Sequence, residues 1–321
     1  MPSSTRRRLR DIRMAYTRED CMAAAAGISR AGIGLCATGL SDCTPQQRRF
    51  RALFALSLFN FDSAGRSQPM VSVYNASTFL CYSMVVSPRF DRLVFVVPGA
   101  AENVVGRLLG SPSSLRSGVP GLRLEAIGKA FGRAYGECFH LLHLPTGARA
   151  VVTASSNFEA IANCARGTTV LDRFPGPDLP LADVEREALD GVPAMTPESE
   201  ALLAALVSYL DVRDPGRQWA TGMWWWDPIG RPKRAGLAPS FERFAQLWGC
   251  GDTWELKWNG YPYPEDLISC FTSSTVGLPG ASAVKQADGW CVRLGKSSLT
   301  LLYGGICPTA ARRKSLRRRD I

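Results

Sequence analysis

The chain has only two histidines, and they stand close together in Cys138-Phe139-His140-Leu141-Leu142-His143. Thiolate and imidazole are the ligands zinc prefers, so Cys138, His140 and His143 are the candidate metal ligands. A closed zinc site needs four ligands and a catalytic one three with a water, yet none of the ten cysteines forms a Cys-x-x-Cys pair to supply a second half-site. On a strand, Cys138 and His140 share one face and His143 takes the other. The expectation is a hairpin strand whose imidazoles bond to backbone or solvent, with no zinc and no other cofactor. Any thiol–imidazole nucleophile would have to use the same residues. Cys138 is too close in sequence to be assigned a directed base, so a cryptic enzyme at His140/His143 is the least favoured reading and no catalytic residue is assigned.

Gly295-Lys296-Ser297 has the ending of a phosphate-binding loop, but the glycine required five residues earlier would fall at Trp290. Gly27, Gly32 and Gly34 do not follow a strand in dinucleotide-fold order, and Gly-x-Ser-x-Gly is absent. Trp224-Trp225-Trp226 is the most unusual cluster. Three consecutive indoles cannot all be buried on one face of a regular element. Either at least one meets a partner, as tryptophan often does at interfaces, or the loop folds over the core with two rings inward.

Length and composition bound the rest. The 321 residues suffice for one large or two ordinary domains, and 46% hydrophobic with 21% charged is globular composition. No run of 18 or more apolar residues predicts a transmembrane helix, and no apolar stretch follows the N-terminal arginines as a secretory signal would require. Scattered cysteines without a signal predict reduced, mostly buried thiols. The net charge of +10 sits at the two ends: residues 1–18 carry +5, residues 312–321 carry +5, and the 293 residues between them sum to zero. Basic ends can attract phosphate, acidic partners or an anionic surface, or serve as a nuclear-import address, but they are not the basic stripe of a dedicated nucleic-acid-binding domain.

Several elements are readable from pattern. One helix is expected over Thr5–Ala26, and strands over Ile33–Thr38, Leu53–Phe61, Met70–Tyr74, Thr78–Val86 and Arg92–Val97, as an antiparallel meander. A helix follows over Ala100–Leu109. Leu122–Phe131 is ambiguous between helix and strand. Glu137–Leu144 and Ala148–Ala154 form a hairpin about Pro145-Thr146-Gly147, and a short helix covers Phe158–Cys164. Pro175, Gly176, Pro177 and Pro180 mark a linker. Thr196-Pro197-Glu198 opens a helix running to about Leu210. A helix over Phe241–Trp248 and strands over Thr253–Trp258, Trp290–Leu294 and Leu299–Tyr303 complete the chain, with no internal repeat visible.

The fold class is α+β, with a β-rich antiparallel N-terminal domain and a smaller mixed C-terminal one. The expected boundaries are a basic arm at 1–18, the N-terminal domain at 19–174, a linker at 175–195, the C-terminal domain at 196–311 and a basic tail at 312–321.

Four stretches, taken in order, carry a resemblance. They are Leu9–Met22 ending in Glu19-Asp20-Cys21-Met22, the segment Phe50–Tyr82, the hairpin His143-Leu144-Pro145-Thr146-Gly147, and Trp290–Arg312 with Ile306-Cys307-Pro308-Thr309-Ala310-Ala311-Arg312. Together they cover about a third of the chain and resemble the herpesvirus tegument family called cytoplasmic envelopment protein 2. The resemblance implies a non-enzymatic adaptor that associates with capsids and binds a small acylated tegument protein of the cytoplasmic envelopment protein 3 type. It further implies contact with other tegument proteins or envelope glycoprotein tails during envelopment and egress, and residence in virion tegument, host cytoplasm and host nucleus. Cys21 and Cys307 are the positions that carry over, and with Trp224, Trp225 and Trp226 they are the partner-binding candidates. The family's Cys-x-x-Cys pairs have no counterpart in Ala201–Ala238. The alternative function is a basic nuclear nucleic-acid-associated or regulatory protein.

Overall fold

In the computed structural model, the residues described are 2–28, 38–60, 85–97, 101–110, 118–130, 136–154, 164–165, 174–224, 227–231 and 244–304. The chain is α+β. Helices α1 (Pro2–Tyr16), α2 (Cys21–Gly27) and α3 (Pro45–Leu58) lead into strands β1 (Val85–Pro88) and β2 (Arg92–Val96). Then come α4 (Ala101–Leu109), β3 (Leu122–Ala130), β4 (Gly136–His143), β5 (Ala148–Thr153) and β6 (Cys164–Ala165). Helices α5 (Asp183–Asp190) and α6 (Pro197–Ser208) and a 3-10 turn at Gly222–Trp224 precede β7 (Ala245–Cys250) and β8 (Thr253–Trp258). The last elements are α7 (Pro264–Thr272), β9 (Ser282–Gln286), β10 (Gly289–Leu294) and β11 (Ser297–Tyr303).

Two sheets result. One has the order β1-β2-β5-β4-β3-β6 and the other β7-β8-β11-β10-β9. Each contains one parallel pair, β2 with β5 and β8 with β11, and is otherwise antiparallel, so the expected antiparallel meander is interrupted by a crossover.

Those orders reveal an internal duplication that the sequence did not show. Each half runs helix, β-hairpin, helix, then three antiparallel strands, the last returning parallel to the second strand of the hairpin: α3-β1-β2-α4-β3-β4-β5 and α6-β7-β8-α7-β9-β10-β11. The leading helices start alike. Thr44 and Thr196 are N-caps accepting from Gln47 N and Ser199 N, each followed by proline at the first helical position. The third helical residue does the same work in both halves. Gln47 Nε2 donates to the Asp91 carbonyl in the β1–β2 turn at 3.1 Å and to the Arg149 carbonyl in β5 at 2.7 Å. Ser199 Oγ donates to the Gly251 carbonyl in the β7–β8 turn at 2.6 Å and lies 3.1 Å from Ser297 Oγ in β11. Each helix is thereby pinned by its first turn to the same two points of its own sheet.

Helices α3 and α6 pack against each other, and one core cluster draws on both halves, from Phe50, Phe54 and Phe95 to Leu202, Leu206, Trp254 and Trp258. The Asn60 amide adds a second tie: its Nδ2 donates to the Leu247 carbonyl at 2.8 Å and its Oδ1 accepts from Leu247 N at 2.9 Å. The stretch read as a linker holds α5, whose Glu185 reaches back to β3.

Four expectations change. Leu53–Phe61, read as a strand, belongs largely to α3, because a mostly apolar run has no period to separate helix from strand. Thr5–Ala26 is two helices, since Asp20 caps α2 through Ala23 N at 2.8 Å while Glu19 turns inward. Phe241–Trp248, read as a helix, contributes β7, held by β8 and the Asn60 clamp. The short helix expected over Phe158–Cys164 ends in strand β6, its other residues lying outside those described, as do Ile33–Ala37, Met70–Tyr74 and residues 78–84. Of the ambiguous stretch at 122–131, Leu122–Ala130 is β3 and Phe131 lies outside the described residues, and the 145–147 hairpin forms as expected.

Candidate functional site

The Cys138/His140/His143 strand is β4, paired on both sides by β3 and β5. Cys138 is fully buried, and its Sγ lies 3.6 Å from His140 Nε2. His143 points the other way, as strand alternation requires, and packs on Phe50 at a centroid distance of 5.1 Å. Its Nε2 lies 3.1 Å from the Pro120 carbonyl, so that nitrogen carries the proton; Nδ1 then accepts from Thr146 Oγ1 at 2.9 Å. Both nitrogens are used and the ring is 1% exposed. Burial, against the Pro120 hydrogen bond, pushes the His143 pKa down to about 4. His140 is also lowered, by burial and then by Arg92. Thr146 Oγ1 also accepts from Ala148 N at 3.2 Å, making His143 the anchor of the hairpin turn. The three candidates are thus split between two faces, and among the described residues no group of three His, Cys, Asp or Glu gathers as a metal site.

The remaining sequence candidates fall in different places. Trp224 is 6% exposed and lies between Phe59 at 4.4 Å and Trp258 at 5.5 Å, with φ at 62°. It is a core residue, not an exposed anchor. Trp225, Trp226 and Cys307 lie outside the described residues. Cys21, at the start of α2, is exposed beside Met22, itself 58% exposed.

Gly295-Lys296-Ser297 turns β10 into β11, with Gly295 at φ 56°. Ser297 joins a polar knot at the α6 N-terminus, where the Asp252 carboxylate accepts from Thr196 Oγ1 and Ser297 Oγ, both at 2.7 Å. These bonds, more than the nearby Lys296 charge, hold the Asp252 carboxyl below the usual range. The place where a phosphate would meet this helix is taken by the protein's own carboxylate.

Buried arginines are what sequence reasoning missed. Arg13, counted above with a solvated basic arm, is fully buried and pairs with Glu19 at 2.5 and 2.6 Å while donating to the carbonyls of Gly27, Thr38 and Pro88. Arg123 is buried with Glu185. Arg51 is buried without a carboxylate among the described residues, and burial, first among several causes, lowers its pKa. Asp211 is 8% exposed, its Oδ2 has no hydrogen-bond partner, and burial pushes its pKa up to about 7 against the pull of Arg18 and Arg213. In sequence, alternating Arg and Asp or Glu reads as surface charge, and nothing local marks which ones fold inward. Among the described residues no helix is long and apolar enough to cross a membrane.

Compared with known proteins, the chain matches no family model, no curated protein and no solved structure.

Proposed function

We propose that this chain is a non-enzymatic adaptor of the herpesvirus tegument, of the cytoplasmic envelopment protein 2 kind, linking capsid to membrane-associated tegument during cytoplasmic envelopment and egress. The sequence resemblance supplies the class of partner: the capsid and a small acylated tegument protein. The residues that could have carried chemistry support a non-catalytic reading, since His143 has both nitrogens engaged within the fold and Ser297 is tied into a helix cap.

The observation that carries the reading is an unmatched sheet edge. In the first half β3 is covered by β6, paired antiparallel through Ile127–Ala165 and Gly128–Cys164. In the second half the equivalent strand, β9, is the edge of its sheet among the described residues. Its Val284 is 47% exposed, and Ser282, Lys285 and Gln286 are exposed with it. An uncovered edge strand offers backbone donors and acceptors to an extended segment of another protein. The basic ends of the chain add attraction toward acidic partners or an anionic surface.

Affinity purification of the full chain from infected cells tests this. Recovery of capsid and small acylated tegument proteins, reduced by Val284→Asp, is the expected result. Their absence overturns the reading, and salt-sensitive nanomolar binding to nucleic acid in their place favours the nuclear alternative.

A further inference from the structure

A cavity of about 230 Å³ lies where the segment entering α3 meets α6. Its polar wall is formed by Ser41, Asp42, Cys43, Arg48 and Ser208, and its apolar wall by the alanine face of α6 and the segment after α7. Arg48, in the first half of α3, lines the cavity, and its Nε is buried with no hydrogen-bond partner. One turn on, Arg51 stands behind the wall. Its Nη1 donates to Ser208 Oγ at 3.2 Å, and its Nη2 donates to the carbonyls of Arg89 at 2.5 Å and Arg92 at 3.2 Å. Arg51 Nε is unpartnered, and no carboxylate pairs with this fully buried charge among the described residues.

A buried guanidinium held only by neutral acceptors is costly, because carbonyls and a hydroxyl do not cancel its charge. Asp42, whose carboxylate favours the Arg51 charge, belongs to the cavity wall. The positive field of Arg51 therefore reaches the cavity. Of the charged side chains lining the cavity, Arg48 and Asp42 offset one another, and Arg51 behind the wall adds one positive charge. Ser208 gives its proton to the Ala204 carbonyl at 3.1 Å, so it separates Arg51 from the space without donating into it. Among the lining side chains, Arg48 and Ser41 carry donors that an anion can use.

We infer that this cavity is an anion-binding site for a small oxyanion of the phosphoryl class, with Arg48 as the contact and Arg51 as the buried source of positive potential. The site is independent of the adaptor reading and of the β9 edge. Its affinity is on the order of millimolar, the strength of a few charge-assisted hydrogen bonds in an open cavity.

Cys43 reports occupancy. The full chain is alkylated with uncharged iodoacetamide in increasing inorganic phosphate at constant ionic strength, and each cysteine is followed by mass spectrometry. The expected result is saturable protection of Cys43, reaching about tenfold slowing at ten times the dissociation constant, with exposed Cys21 unchanged. Arg48→Gln, whose side chain anchors nothing else in the described fold, is expected to abolish protection while keeping the melting temperature. No protection of Cys43, equal protection by chloride, or protection persisting in a folded Arg48→Gln protein each overturns the proposal.

Discussion

Arg123 and Glu185 close a two-point ion pair in the interior: Nη1 donates to Oε1 at 2.8 Å and Nη2 to Oε2 at 2.6 Å. The same carboxylate accepts from Gly121 N and Ala182 N, so it fastens α5 to the start of β3. Removing one partner of such a pair leaves an uncompensated buried charge. Glu185→Leu is expected to cost about 3–5 kcal/mol in urea unfolding. The double variant Arg123→Met/Glu185→Leu should cost less than that single change. A double variant as unstable as the sum of the singles would show that the two residues are not coupled.

His143 is held neutral, which sets the sign of its pH effect. Its folded pKa of about 4 lies below the ordinary 6.5, so protons bind the unfolded chain first. Its contribution to stability rises with pH from about 4 to 6.5, is complete above that, and is lost on acidification. With two histidines in the chain, ring NMR titration separates them cleanly. His143 is expected to remain neutral at pH 6, and a midpoint near 6.5 would contradict the buried hairpin anchor.

Asp211 acts in the opposite direction. Its folded pKa of about 7 lies above the ordinary 3.8, so its stabilising contribution is present below the lower value and is lost as pH rises toward 7. Asp211→Asn should remove this loss. The variant's stability relative to the parent is expected to increase between pH 4 and 7, by up to about 4 kcal/mol, and then level off. A difference independent of pH would show that Asp211 ionises freely in the folded chain.

The duplication predicts equivalent work from residues with no sequence likeness. Gln47→Ala and Ser199→Ala each unpin a helix start from a hairpin turn and a final strand. Each should cost about 1–2 kcal/mol, the net worth of the side-chain hydrogen bonds lost, and the two costs should add, since they lie in separate sheets. A neutral effect in either half would reduce the equivalence to one of topology.

Packing of α3 on α6 predicts that the halves need each other. Residues 1–174 and 175–321 expressed separately are expected to bind a hydrophobic dye and lack a cooperative thermal transition. Two independently cooperative fragments would restore the reading of two autonomous domains joined by a linker.

Patterns carried by near neighbours were legible in the sequence. The Thr-Pro start of α6, the 145–147 turn, the strand over Thr253–Trp258 and the opposite facing of His140 and His143 all follow from local geometry. Runs without a period were not legible: Leu53–Leu58 is helical because α6 and the first sheet surround it, and β7 is a strand because β8 and Asn60 hold it. The candidate cavity was hidden for the same reason. Nothing local in the sequence sets Arg48 and Arg51 apart; the fold buries one of them and places Cys43, Asp42 and Ser208 around the other.

By itself the sequence determined the α+β class, the basic ends, the Thr196 helix start, the 145–147 turn and the residue types available for chemistry. Only the tertiary structure decided which arginines lie inside, that the second half repeats the topology of the first, and that Trp224 is core while β9 is a sheet edge among the described residues. The division has a physical cause. Capping, turn formation and strand alternation are set within a few residues, whereas burial of a charge or pairing of a strand depends on segments far away in the chain.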